Sequence, residues 1–144
     1  LKKTIKERPP LLVAAGVIHD SGKILVGQRR LGDRHALKWE FPGGKVEAGE
    51  TPRQALMREL REELQIDAKI GPELARYEHD YPGGSRVHLL FFAVREYGGT
   101  PAARAFQQIS WAPLTDLPKL DFLEGDLDFV KRLARGEYAP QLGL

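Results

Sequence analysis

The sequence predicts an α/β fold, an α/β/α sandwich with a mixed β-sheet between helices. Apolar runs before and after a long amphipathic helix pattern, and a second helix pattern near the C-terminus, give the order β, β, β, α, β, β, β, α. A layered sheet with a helix on each face satisfies that order. The 144 residues suit one domain, large enough to bury a core without staples. It is expected over residues 11–136, after a basic N-terminal arm (1–10) ending in Pro9-Pro10 and before a loose C-terminal tail (137–144).

Composition removes several functional classes. There is no cysteine, which excludes disulfides and thiolate chemistry and suits a cytoplasmic location. The longest apolar runs, 11–18 and 89–94, are too short to span a bilayer, so no membrane partner is expected. The N-terminus does not read as a signal peptide, and the lack of an initiator methionine suggests trimming. A formal charge of +2, from 22 basic and 20 acidic residues, is too balanced for a nucleic-acid polymer as main ligand. A small anion suits it better, and no oligomeric state is specified.

In order along the chain, Leu11 to Ile18 and Lys23 to Gln28 read as strands joined by the turn His19-Asp20-Ser21-Gly22. Residues 29–38 form a polar loop with five Arg, Lys or His side chains, leading into Trp39. Thr51, with Gln54 three residues later, has the form of a capping box, and Pro52 suits the first helical position. The helix runs to about Leu64, with Leu56, Leu60 and Leu64 as its buried stripe and Met57 alongside. Strands follow at Glu73 to Asp80 and Arg86 to Glu96 around the turn Tyr81 to Ser85, and at Phe106 to Trp111. Pro113 to Pro118 reads as a loop. Leu127, Val130, Leu133 and Ala134 mark a closing helix that should stop at Gly136.

The first helix carries the chemistry. At ~100° per residue, Glu59, Glu62 and Glu63 fall within an arc of about 100° away from the leucine stripe. Like charges at i, i+4 cost roughly 0.2–0.5 kcal/mol, and these three also sit toward the negative end of the helix dipole. The arrangement is poor for stability alone. Immediately upstream, Phe41-Pro42-Gly43-Gly44 supplies paired glycines, which let backbone approach a ligand closely. Hard divalent cations take carboxylate, carbonyl and water oxygens of this kind.

The spacing Gly44, five residues, Glu50, seven residues, Arg58-Glu59-Leu60-Arg61-Glu62-Glu63 resembles the Nudix box, G-x5-E-x7-R-E-U-x-E-E-x-G-U, with eight of nine fixed positions matched. The mismatch is Gln65, where the signature has a glycine suited to a left-handed helix cap. From about Leu12 to Ala134 the chain is similar to the MutT branch of the Nudix hydrolases. That resemblance implies a Nudix-type α/β/α sandwich hydrolysing nucleoside triphosphates to a monophosphate and pyrophosphate, as in 8-oxo-dGTP sanitisers and CTP pyrophosphohydrolases. It implies magnesium, with manganese as alternative, held by Glu59, Glu62, Glu63 and the Gly44 carbonyl. Catalytic candidates are Glu59, Glu62 and Arg58, with Arg58 holding Glu59. Glu50 supports the loop or an outer metal shell.

Substrate-binding candidates are Arg29, Phe41, Lys45 and Asp126. Arg29 and Lys45 are suited to phosphate. Asp126 falls where the resemblance places a base-reading asparagine; ionised, it only accepts hydrogen bonds and so favours a guanine-type base over cytosine. It is equally placed to cap the closing helix. Relatives often carry another glutamate before Trp111, whereas residues 103–108 here hold no carboxylate. The general base is therefore open among the helix glutamates, Glu124 and Asp80. Alternatives to a modified purine nucleotide are CTP, 5-methyl-dCTP and ADP-ribose. A non-catalytic phospho-ligand module predicts loss of the helix carboxylates, which are present.

Overall fold

The structure, a computed structural model, describes residues 10–144. All of the expected N-terminal arm except Pro10 lies outside the described residues. Among the described residues nine strands occur: β1 (Leu11–Asp20), β2 (Lys23–Gln28), β3 (Trp39–Glu40), β4 (Gly43–Lys45), β5 (Asp67–Lys69), β6 (Glu73–Tyr81), β7 (Ser85–Val94), β8 (Glu96–Gly98) and β9 (Gln108–Pro113). The helices are α1 (Pro52–Leu64), α2 (Leu127–Ala134) and the short α3 (Ala139–Leu142).

β1 organises the sheet. One edge runs parallel to β7 from Leu11↔Val87 to Ile18↔Val94; the other pairs antiparallel with β4 and, at its end, with β2. β6 continues the sheet beyond β7, while β3 and β9 flank β2. Alternation along the strands divides the core into two layers. Ala15, Val17, Val87, Leu89 and Phe91 face α2 and α3, where Phe91 stacks on Phe129 at 3.9 Å between centroids. Ala14, Ile18, Leu90, Phe92 and Val94 face α1. The mixed sheet between helices is as the sequence predicts.

Both ends of α1 follow from its sequence. Thr51 Oγ1 accepts from Gln54 N–H at 3.2 Å, and Gln54 Oε1 accepts from Thr51 N–H at 2.9 Å, a reciprocal capping box with Pro52 at the first turn. At the other end Gln65 adopts φ 61°, ψ 34°, the left-handed conformation a glycine would take more easily, and donates to Arg61 O. That costs on the order of 1 kcal/mol, which the closing hydrogen bonds offset. Thr51→Ala is expected to lower unfolding stability by about 1 kcal/mol, read by urea denaturation with unchanged m-value.

Four readings are corrected. Met57 is 48% exposed; Ala55, fully buried, takes the flank of the leucine stripe. The run expected as one strand to Glu96 breaks after Val94, and Glu96–Gly98 pairs instead with β5 in a separate two-stranded sheet. Residues 113–118 are not plain loop, because a 3-10 turn at Leu114–Lys119 buries Leu117. Nor is the tail loose: α3 puts Leu142 into the core at 1% exposure, so packing extends past Gly136.

Candidate active site

A cavity of about 400 Å³ opens on the α2 side of the sheet, a volume in the range of small-molecule sites. Its floor is apolar, built from the inward residues of the central strands: Leu11, Val13 and Ala15 of β1, and Val87 and Leu89 of β7. Phe41 closes the floor from below. It is only 4% exposed and packs edge-on against Phe91 and Phe129 at 5.7 and 5.6 Å, so it serves the core as much as the cavity.

One end of the cavity is polar and holds Arg29, Glu40, Gly43, Gly44, Lys45 and Glu63. β4 is pinned to β1 by the pairs Ala14↔Gly44 and Ala15↔Gly43, and α1 packs over it. Gly43 has φ 152°, and a Cβ there would strike Ala14 O and the Ala15 Cα. A Cβ on Gly44 would overlap the Glu59 carboxylate. Gly43 is therefore required for β4 to lie against β1, and Gly44 for the Glu59 carboxyl to approach backbone. Glu63 Oε1 accepts from the Gly43 N–H at 2.9 Å. Burial, with Glu40 and Glu59 nearby, pushes the Glu63 carboxyl up to about 9 against the opposing pull of that N–H and of Arg29. Glu59 is also raised by burial, opposed mainly by Arg58.

Arg58 ties the helix to the glycine loop. Its Nε and Nη2 donate to Glu50 at 2.7 and 2.9 Å, a bidentate pair, and Nη2 also reaches Lys45 O at 3.1 Å. The guanidinium holds Glu50 down to about 2, helped by the Glu47 N–H. Its nearest contacts to Glu59 and Glu62 are longer, 3.4 and 3.3 Å. Arg58 thus reaches Glu59, and its shortest hydrogen bonds go to Glu50.

The three helix carboxylates do not point into one space. Glu63 alone lines the cavity, Glu59 lies against Gly44, and Glu62 turns outward on Arg58 with 59% of its side chain exposed. Among the described residues no three His, Asp or Glu side chains converge closely enough to hold a metal ion. An arc of about 100° is wide enough for Arg58 to draw the outer members of the set away from the inner one.

The rest of the lining is formed by Arg34, His35, Tyr81, Leu123 and Asp126, with the Arg34 carbonyl accepting from Arg29 Nε at 2.6 Å. Asp126 is 4% exposed, and its side chain makes no capping hydrogen bond to α2, so the capping reading is overturned. Burial, then the charge of Glu40, raises its carboxyl well above the usual range. The shift favours the protonated acid, which donates as well as accepts. Of the base candidates outside the helix, Asp80 is paired with Arg86 at the surface and Glu124 lines a smaller neighbouring cavity. Neither lines the main one.

The structure thus gathers Arg29, Phe41, Lys45, Asp126, Gly44 and Glu63 around one cavity, and Glu59, Glu62 and Arg58 do not line it. Sequence reasoning missed Glu40, Arg34, His35 and Tyr81. Glu40 pairs with Arg29 Nη1 at 3.2 and 3.3 Å, and burial raises its carboxyl against that guanidinium. Its place beside Phe41-Pro42-Gly43-Gly44 was the signal available. Gly44→Ala is expected to lower kcat by ~10- to 100-fold through displacement of Glu59, with a much smaller change in Tm; comparable losses in both would make Gly44 a turn residue only.

The NUDIX domain family profile matches residues 9–133. The chain is 43% identical over 99 residues to the CTP pyrophosphohydrolase of Escherichia coli, spanning 69% of this chain and 73% of that one. It is 39% identical over 122 residues to the 8-oxo-dGTP diphosphatase of Haemophilus influenzae, spanning 84% and 89%. The solution structure of the E. coli ORF135 protein superposes with a TM-score of 0.79 at 35% identity, covering 90% of this chain and 91% of that one.

Proposed function

Because the chain belongs to the Nudix hydrolase family, we propose that it is a MutT-like nucleotide-pool sanitiser that converts a nucleoside triphosphate and water to a monophosphate and pyrophosphate, with 8-oxo-dGTP or a related modified nucleotide as substrate. The observation that carries this reading is the makeup of the cavity wall. An apolar floor is bordered by Asp126 and by the Gly43–Gly44 strand, Glu63, Arg29 and Lys45. A flat base needs such an apolar floor, and a polyphosphate chain needs such cationic and backbone groups beside it.

The residues fit a divalent cation. Gly44 leaves the space that the Glu59 carboxylate fills, and Glu63 is a buried carboxyl crowded by Glu40 and Glu59, a repulsion that a hard cation relieves. Glu59, Glu63 and the Gly44 carbonyl would hold magnesium, or manganese, with Glu62 at the rim. Bound there, such an ion neutralises phosphate oxygens and makes a water more acidic. The remaining work belongs to the chain. Lys45 and Arg29 meet phosphate, Glu40 fixes the Arg29 guanidinium, and Arg58 acts as a positioning residue that clamps loop to helix through Glu50. The carboxyls beside the phosphate end that line the cavity are Glu40 and Glu63. The attacking water yields its proton on that side, with pyrophosphate leaving.

A second reading, CTP or 5-methyl-dCTP, is favoured by the raised carboxyl of Asp126. An ionised aspartate selects two donors and so guanine. The neutral acid presents one donor and one acceptor, which match O6 and N7–H of 8-oxoguanine and also N3 and the N4 amino group of cytosine. The cytoplasm, where nucleotide pools lie, is the expected location; no helix among the described residues is long and apolar enough to cross a membrane. Pyrophosphate release from 8-oxo-dGTP, dGTP, CTP and ADP-ribose, with and without magnesium, tests the proposal. Magnesium-dependent release from 8-oxo-dGTP well above dGTP is expected. CTP in first place would establish the second reading, and no triphosphate hydrolysis would overturn both.

A further inference from the structure

Three rings on one face of β6 hold the segment that carries Asp126. Tyr77 Oη donates to Asp128 Oδ2 at 2.8 Å, and Tyr81 Oη accepts from the Gly125 N–H at 3.2 Å. His79 lies between them and packs edge-on against Tyr81, with centroids 4.4 Å apart. Alternate residues of a strand share a face. The register Tyr77↔Leu89, His79↔Val87 puts these rings beside the residues of β7 that floor the cavity. The fit is tight at Gly125, where a Cβ would overlap Tyr81 Oη and press on the His79 ring.

The outer two rungs of this clamp are complete and the middle one is not. His79 Nε2 is buried with no hydrogen-bond partner among the described residues. Glu124 Oε1 stands at 4.0 Å, beyond hydrogen-bond range. A buried unpartnered nitrogen destabilises relative to an apolar ring of the same shape. Packing against Tyr81 therefore does not account for a histidine here; phenylalanine would do that better.

We propose that His79 is a positioning residue for base selection: the gap to Glu124 closes to a hydrogen bond when a base docks against Asp126, locking the Glu124–Asp126 turn at its working depth. This rests on the reading that Asp126 meets the base. The stability given up in the free protein by leaving Nε2 unpaired is recovered on binding, so the contact discriminates substrates that seat Asp126 correctly from those that do not.

The test is His79→Phe, which keeps the ring on Tyr81 and removes the nitrogen, compared with His79→Gln, whose amide can reach Glu124. Steady-state kinetics with 8-oxo-dGTP, CTP and the base-free ribose 5-triphosphate are combined with thermal melts. Expected for His79→Phe are an unchanged or higher Tm, a roughly tenfold rise in KM for the preferred nucleotide with kcat held, and no change for ribose 5-triphosphate. His79→Gln should recover part of the KM. A fall in Tm with KM unmoved would make His79 a packing residue, and an equal rise in KM for the base-free substrate would place the effect at the phosphates; either overturns the proposal. Asp126→Leu, run in parallel, separates the premises. If it leaves substrate preference unmoved, the reading of Asp126 fails and this inference with it. If Asp126→Leu moves the preference and His79→Phe does not, this inference alone fails.

Discussion

Glu59→Gln and Glu63→Gln are each expected to lower kcat by ~10³-fold, equivalent to about 4 kcal/mol of transition-state stabilisation, while leaving the fold intact. Stability is spared for a local reason. A glutamine at position 63 keeps the Oε1 that accepts from Gly43 N–H, and it removes a carboxyl that burial and Glu40 both oppose. At position 59 it removes a partly buried charge whose nearest Arg58 contact is 3.4 Å, while Arg58 retains its bidentate pair with Glu50. Magnesium titrated during thermal melts gives a readout besides turnover. The parent protein should gain about 2.7 kcal/mol of stability, read as a higher Tm, at a magnesium concentration 100 times its Kd, and the variants should not. Turnover surviving both substitutions, or an equal magnesium shift in all three proteins, would remove these carboxylates from the metal site.

The parts of this protein that were legible in its sequence are those fixed by local rules. The N-terminus of α1 is set by Thr51, Pro52 and Gln54 within four consecutive residues, and the strand pattern of β1 and β7 by apolar runs. What escaped depends on partners distant in sequence. Whether Glu59, Glu62 and Glu63 share one space is decided by Arg58, and no helical wheel shows which carboxylate it takes. Glu40 acts in the cavity because β3 pairs with β2 and brings it to Arg29. The short β5 and β8 are three residues each and pair across a separation that no periodicity reports. Leu142 looks like tail until α3 brings it against the core.

Asp126 shows the same limit in its protonation state, and its substitutions give the second large effect. Asp126→Leu is expected to lower kcat/KM for the preferred nucleotide by ~10²- to 10³-fold, because a site built around a base hydrogen bond loses that contact. Asp126→Asn should retain most of it, since an amide offers one donor group and one acceptor just as a neutral carboxyl does. An ionised Asp126 predicts the reverse, a large change in the ratio of 8-oxo-dGTP to CTP hydrolysis on going to asparagine. Stability then supplies an independent reading of the same group. Because the native carboxyl is raised and the unfolded one titrates near its ordinary ~3.9, the native state holds a proton that the unfolded chain releases. The stability associated with that proton is fully present below pH ~3.9 and is lost as pH rises toward the native value. Asparagine does not titrate, so the Tm of Asp126→Asn minus that of the parent should be near zero at pH 4 and widen steadily toward pH 8. Base selection by the parent should weaken over the pH range in which Asp126 ionises, while the asparagine variant holds its ratio. A Tm difference that stays flat from pH 4 to pH 8 would mean that Asp126 is ionised in the cavity, and the guanine-selective reading would then replace the neutral one.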